Sequence, residues 1–358
     1  QLINKNGAAF WKKWNSINKV GNTISSRING KTDEEDIANE FASHFESVYG
    51  GSEGEVYTSL REKFDGAYVK YHSDHINDDL TPYFVTWSEM LDIAVKIEAG
   101  KASAGMLMPG HFLFGAPELF RHLQNLYNGM IQHSYVPTAF LHGIITPIIK
   151  DAQGDVTQTS NYRGITLSCL PAKLFEFLIQ KKTSHLLGTD ELQFGFKRKT
   201  STTHAIYTLK TAVDYFNSKG SNVYVAFLDC SKAFDRISHY GLFVKLMERK
   251  VPLCLLLLVI FLLLNMACRV RWDDELSSEF SVPLGTKQGG VSSPGYFCLY
   301  VDGMIDLLQK NGIGFHITNT FLGAILFADD LVLIAPNRAA LQRLIDTCGK
   351  YCTDYCLQ

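Results

Sequence analysis

"AILFADDLVLIAP", Ala324 to Pro336, sets two adjacent aspartates between runs of apolar, partly β-branched residues. Each run has the length and composition of a buried strand. Burying a lone carboxylate is costly, so acids at such a place should be paired or should face a cation. The segment parses as a β-hairpin with its tight turn at Ala328–Asp329–Asp330. Both acids then stand at one end of a sheet.

Upstream, "NVYVAFLDCSKAFDRISH" holds a second strand-length apolar run, Val223 to Leu228, with Asp229 at its end. An acid there is either a group presented at a sheet edge or a cap for a following helix. If this strand lies beside the hairpin, three carboxylates converge and repel unless two divalent cations sit among them. Mg²⁺ takes hard oxygen ligands and commonly binds one or two carboxylates plus substrate phosphates. Such ions could activate a 3′-hydroxyl and stabilise a leaving pyrophosphate. The same carboxylates would also serve a two-metal nuclease or phosphatase.

With 358 residues, 46% of them hydrophobic, the chain can bury a large core shared by about two or three subdomains. A net charge of −2 does not mark a nucleic-acid binder, but its distribution is uneven. Residues 1–31 carry Lys5, Lys12, Lys13, Lys19, Arg27 and Lys31 without an acid, and "FKRKT" forms a second basic knot from Phe196 to Thr200. Each is a solvated surface or a phosphate-facing patch. Eight cysteines without a CxxC pair suit buried free thiols in a reducing compartment. Cys348, Cys352 and Cys356 read as a helical packing stripe rather than a zinc site. Leu253 to Leu264 is apolar throughout, yet shorter than the roughly 20 residues of a membrane span, and reads as a buried helix. The chain begins at Gln1 and shows no signal peptide.

Other elements follow from periodicity and caps. A capping box, Thr32 to Glu35, opens a helix with Ile37, Phe41, Phe45 and Val48 on one face. Residues 50–80 are rich in Gly, Asp and Ser and read as an irregular connection. Helices are expected from Trp87 to Gly100, over 117–134 and 171–187, and from Thr203 to Asn217. Between the second and third, two short β segments join through a polar turn. Ser293 is the expected N-cap of a helix with Pro294 at its first position and Phe297, Val301, Met304, Ile305 and Leu308 facing inward. The glycines of the preceding "GTKQGGV" let a ligand or backbone approach closely.

"AFLDCSKAFD", "KQGGVSSP" and "FADD", in that order, resemble motifs A, B and C of reverse transcriptases. "IITPIIKDAQGD", "NYRGITLSCLPAKLFEFLI" and "QFGFKRKTSTTHAI" resemble the fingers segments of the non-LTR (LINE-type) retrotransposon branch. "IANEFASHFESVY" resembles the connector that follows an endonuclease in those polyproteins. The resemblance implies an α/β (α+β) right-hand polymerase fold, with fingers, a palm built on an antiparallel sheet, and no thumb within this chain. Residues 1–70 would be a helical N-terminal extension, 71–90 a linker, 91–220 fingers with adjoining palm segments, and 221–358 the palm.

The resemblance also implies roles. Asp229, Asp329 and Asp330 would be catalytic and would hold two Mg²⁺ ions, with Mn²⁺ as a substitute. Lys150 and Arg163 would hold the triphosphate, Phe234 would exclude a 2′-hydroxyl, and Gln288 and Gly289 would lie against the nascent base pair. Gln193, Gly195, Phe196, Lys197, Arg198 and Lys199 would follow the template. The implied activity is RNA-directed DNA synthesis from an RNA template, a DNA primer or target and deoxynucleoside triphosphates. It would occur in a ribonucleoprotein of nucleus and cytoplasm, with an upstream endonuclease and no membrane. The alternatives are a non-catalytic RNA-binding relic and a two-metal nuclease, which leaves Phe234 and the Gln288–Gly289 loop without a task. Ser292 stands where the family commonly has leucine, and Gly295 should loosen the first turn of its helix. Ending at Gln358, soon after FADD, the chain reads as a fragment of a larger reading frame.

Overall fold

The computed structural model describes residues 26–50, 54–94, 117–230 and 232–357. Lys5, Lys12, Lys13 and Lys19, and the Gly100 end of one expected helix, lie outside the described residues.

Helix α1 (Glu34–Tyr49) is capped by Asp33, whose carboxylate accepts the Asp36 N–H at 3.2 Å, rather than by Thr32. Aspartate caps by the same mechanism, and the acids of the first turn suit the positive helix end. Ile37, Phe41, Phe45 and Val48 are all buried, as their spacing predicts. Within 50–80, where an irregular connection was expected, helix α2 (Glu55–His75) forms instead. Only Leu60 and Phe64 of it are fully buried, too thin a stripe to read as amphipathic. Its docking relies on longer reach: the Tyr71 hydroxyl donates to the Val251 carbonyl at 2.7 Å.

Helices α3 (Trp87–Ala94) and α4 (Pro117–His133) precede strands β1 (His142–Ile149) and β2 (Tyr162–Leu167). Next come α5 (Leu170–Thr183), α6 (Thr202–Ser218) and β3 (Tyr224–Leu228). The chain continues through α7 (His239–Glu248), α8 (Leu253–Leu264), β4 (Ala267–Trp272) and α9 (Ser293–Lys310). It finishes with the hairpin β5 (Ala324–Phe327) and β6 (Asp330–Ala335), then α10 (Arg338–Asp354). The fold is mixed α/β.

Two sheets position the site. In the first, β1 lies between antiparallel β2 and parallel β4. Helix α1 covers it: the Phe41 ring stacks on Trp272 at 5.0 Å and meets Tyr162 edge-on at 4.9 Å. In the second, β6 is central between β3 and β5, all antiparallel. Leu331 and Leu333 face the main core, whereas Val332 and Ile334 face a smaller cluster with Phe216 of α6. Burial on both faces explains why the hairpin reads as continuous apolar runs.

Helix α9 threads the core with Phe297, Val301, Met304, Ile305 and Leu308 buried. Its N-cap is Ser292, one residue earlier than expected, and Ser293 is the first helical residue. Helix α8 is apolar all round because much of its surface is covered, with Leu255, Leu256 and Leu258 fully buried. Among the described residues no helix is long and apolar enough to cross a membrane, and no disulfide forms. Cys348 and Cys352 share α10, while Cys356 falls beyond its end.

Candidate active site

The acid-bearing turn is assembled from three segments. The last β3–β6 pair is Leu228 with Leu331, and one step further along each strand stand Asp229 and Asp330. The β5–β6 turn is Ala328–Asp329, with Ala328 at φ +58°. A left-handed alanine costs about 1–2 kcal/mol and needs support. Gln193 gives it: its side-chain oxygen accepts the N–H groups of Ala328 at 3.0 Å and Gly195 at 2.8 Å. Beside it, the Phe194 N–H donates to the Leu326 carbonyl, and the Leu326 N–H donates to the Leu192 carbonyl. A Cβ on Gly195 would stand 2.2 Å from the Ala328 nitrogen, so no side chain fits there.

In front of this turn lies a cleft of about 760 Å³. Asp229 and Asp329 line it together with Lys150, Arg163, Phe196, Phe234, Gln288 and Gly289. These are eight of the residues singled out from the sequence, drawn from β2, the β1–β2 connection, the segment after β3, the β5–β6 turn and two further loops. Asp330, Gln193, Gly195, Lys197, Arg198 and Lys199 do not line it. Asp330 is exposed, and Gln193 and Gly195 are buried under the turn. The Lys197 amino group turns back onto the carbonyls of Thr189 and Asp190. Arg198 and Lys199 are exposed.

The Phe234 ring packs against two others. It stacks on Phe297 at 4.9 Å and meets the Phe196 edge at 6.0 Å. The glycine-rich loop is stitched in on two sides. Thr286 N–H donates to the Phe234 carbonyl at 2.9 Å, and Thr166 N–H of β2 donates to the Gln288 carbonyl at 2.7 Å. Gly289 has φ +111°, and a Cβ there would press on the Thr166 carbonyl oxygen at 2.9 Å.

Charge is divided across the cleft. Burial, then the neighbouring Asp330 and Asp229, push the Asp329 carboxyl above its ordinary pKa, while Arg163 opposes them. Burial, then Arg163 and Lys232, pull the Lys150 amino group down. Several lining residues were not singled out from the sequence, among them His44, Lys232 and Asp235. Asp235 is buried, and both of its oxygens accept the Gln288 amide, at 2.8 and 2.9 Å. Burial raises its pKa, against the hydrogen bond from Gln288 and the charges of Lys232, Lys150 and Arg236. An acid six residues after Asp229, in the apolar setting "AFDRI", was the available signal.

Among the described residues no group of three or more His, Cys, Asp or Glu is arranged to hold a metal ion. Beside Asp235, the cleft offers the carboxylates of Asp229 and Asp329, and burial, then the neighbouring acids, push the Asp329 carboxyl up. That donor set fits a hard divalent cation that completes its shell with water and phosphate oxygens.

Residues 149–358 match the family described as reverse transcriptase (RNA-dependent DNA polymerase). The Pol polyprotein of the type-1 retrotransposable element R2 of Nasonia vitripennis is 24% identical over 220 residues, covering 62% of this chain and 21% of that protein. A probable RNA-directed DNA polymerase from transposon X-element of Drosophila melanogaster is 28% identical over 224 residues, covering 59% of this chain and 24% of that protein. The chain thus spans under a third of the length of these relatives. A telomerase from Candida albicans has a TM-score of 0.44 at 13% identity, covering 64% of this chain and 44% of that one.

Proposed function

The chain belongs to the reverse transcriptase (RNA-dependent DNA polymerase) family, and on that premise we propose that its cleft adds deoxynucleotides to a primer paired with RNA. The β3–β6–β5 sheet with α9 and α10 acts as the palm of a right-hand polymerase. Residues 91–220 act as fingers, 1–70 as an N-terminal extension and 71–90 as the link between them. One observation carries the reading: Asp229, Asp329, Lys150, Arg163, Phe234 and Gln288 come from distant segments and meet at one cleft.

Asp229 and Asp329 would hold the two divalent ions, Mg²⁺ or Mn²⁺, and Asp330 adds negative charge beside them. When bound, such ions activate the 3′-hydroxyl and offset the charge on the leaving pyrophosphate. Lys150 and Arg163 hold the triphosphate with charge-assisted hydrogen bonds. Phe234, backed by Phe297, stands where a 2′-hydroxyl would have to fit. Gln288 and Gly289 bound the base-pair side of the cleft. Phe196, Arg198 and Lys199 are exposed beside it, suited to a template strand, whose phosphates position without specifying sequence. Lys197, with its head turned inward, and the buried Gln193 and Gly195 set the shape of that segment.

The test is primer extension on an RNA template with deoxynucleotides and Mg²⁺. It uses the chain as it is and the chain fused to the C-terminal region of a longer retrotransposon relative. The chain alone should bind RNA weakly and lose it as salt rises. The fusion should extend the primer, and Asp329→Asn should abolish extension. A fusion that binds primer–template tightly but never extends it would favour a non-catalytic RNA-binding relic.

A further inference from the structure

We propose that His44, on helix α1, contacts the polyphosphate of the incoming nucleotide, making the N-terminal helix one wall of the nucleotide site. The proposal rests on the nucleotidyl-transfer reading and adds to it a residue from outside the matched segment 149–358.

The placement is geometric. His44, Phe45 and Val48 line the same cleft as Lys150, Arg163 and Asp329. Helix α1 is fixed there at three points. Toward its start, the Asn29 side chain bridges the Glu40 carboxylate at 2.9 Å and the Thr159 hydroxyl at 3.3 Å, in the loop between β1 and β2. In the middle, Phe45 packs so closely on β2 that a Cβ on Gly164 would meet its ring at 2.9 Å. At its end, the Gly50 carbonyl accepts a hydrogen bond from the Arg236 guanidinium at 3.0 Å. A surface connector has no need of such anchoring to both the β2 strand and the turn after β3. A wall of the site does.

The charges give the chemistry. Four cations share the cleft with His44: Lys150 after β1, Arg163 on β2, Lys232 after β3 and Lys287 in the glycine-rich loop. Among the described residues none of the four forms an ion pair. The acids acting on the same region are Glu40, one turn earlier on α1, Asp235 after β3, and Asp229 and Asp329 across the cleft. Burial, then Lys232 and Lys150, hold His44 below the usual histidine pKa, and Glu40 only partly opposes them. A polyphosphate entering between the cations reverses the local field. His44 then takes a proton from solvent and donates an N–H to a phosphate oxygen, a charge-assisted bond.

Inorganic tripolyphosphate, added without metal to the full chain, tests this. The His44 Cε1–H resonance, assigned by its loss in His44→Gln, should titrate about one pH unit or more higher with saturating tripolyphosphate. His44→Gln should weaken tripolyphosphate binding roughly threefold to tenfold at pH 6, and less at pH 8, where the imidazole is harder to protonate. If tripolyphosphate binds in a way that Lys150→Ala and Arg163→Ala weaken, yet the His44 midpoint stays put, His44 is no phosphate contact, though the nucleotide site survives. If tripolyphosphate does not bind at all, both the proposal and the reading beneath it fail.

Discussion

The side-chain oxygen of Gln193 accepts the backbone N–H of Ala328 at 3.0 Å, fixing the residue that immediately precedes Asp329. The same oxygen accepts the Gly195 N–H, and Gln193 is wholly buried, with its amide nitrogen unpartnered among the described groups. Gln193→Met keeps the volume but orphans two buried N–H groups, at about 1–3 kcal/mol each. Denaturant unfolding should show that loss, and polymerase turnover should fall with it. A variant of unchanged stability that binds RNA less well would instead assign Gln193 to the template.

Asp329 is a half-buried carboxylate with two acids acting on it and one opposing arginine. Removing its charge should therefore help the folded state while ending its function. In metal-free buffer at neutral pH, Asp329→Asn should melt higher than the parent. Adding Mg²⁺ should raise the parent's Tm, because an ion that binds only the folded chain stabilises it by mass action. The variant should lose most of that increment. An equal response from both proteins would place the metal elsewhere.

The readable parts of this chain were those whose cause is local. Leu331 to Ala335 spells a doubly buried strand by composition, and the spacing of Phe297, Val301, Met304 and Leu308 spells a helix face. The cap of α1 slipped by one residue because Thr32 and Asp33 are both able to cap. Helix α2 was missed because a helix can dock through long tyrosines without showing an apolar stripe. The site divides the same way. Asp229 and Asp329 stand out as charges closing greasy runs, whereas Gln193 and His44 show their places only through what the fold brings near them, Ala328 for the first and the cleft cations for the second. Lys197, Arg198 and Lys199 look alike in sequence, yet the first spends its ammonium on two backbone carbonyls.

Phe234 stacks on Phe297 and meets the Phe196 ring edge-on, which under the proposed function would resist its moving aside for a 2′-hydroxyl. Phe234→Val should lower the preference for deoxynucleotides over ribonucleotides by roughly ten- to a hundredfold in kcat/KM, the range one small group commands in a tight pocket. The variant should also be somewhat less stable, since part of a stacked ring is lost. Unchanged discrimination in a destabilised protein would reduce Phe234 to a packing residue.

Asp235 and Gln288 form a pair whose worth can be isolated. Both carboxylate oxygens accept the Gln288 amide, and the carboxylate is buried. Asp235→Ala releases Gln288, whereas Asp235→Asn still offers it a carbonyl oxygen. Asp235→Ala should therefore raise the nucleotide KM more than Asp235→Asn does. In unfolding experiments, a double-mutant cycle of Asp235→Ala with Gln288→Ala should give a coupling of about 0.5–3 kcal/mol. The pH dependence supplies an independent check. Burial raises the Asp235 pKa in the folded chain above its unfolded value. Between those two values the folded state binds more protons, so stability falls as pH rises through the interval, and the loss is complete above it. Asp235→Asn removes this titration, so over that interval the variant's stability should rise more steeply with pH, or fall less, than the parent's. Additive effects in the cycle, with an unaltered acid limb, would mean that the Gln288 amide is held by the loop backbone and not by Asp235.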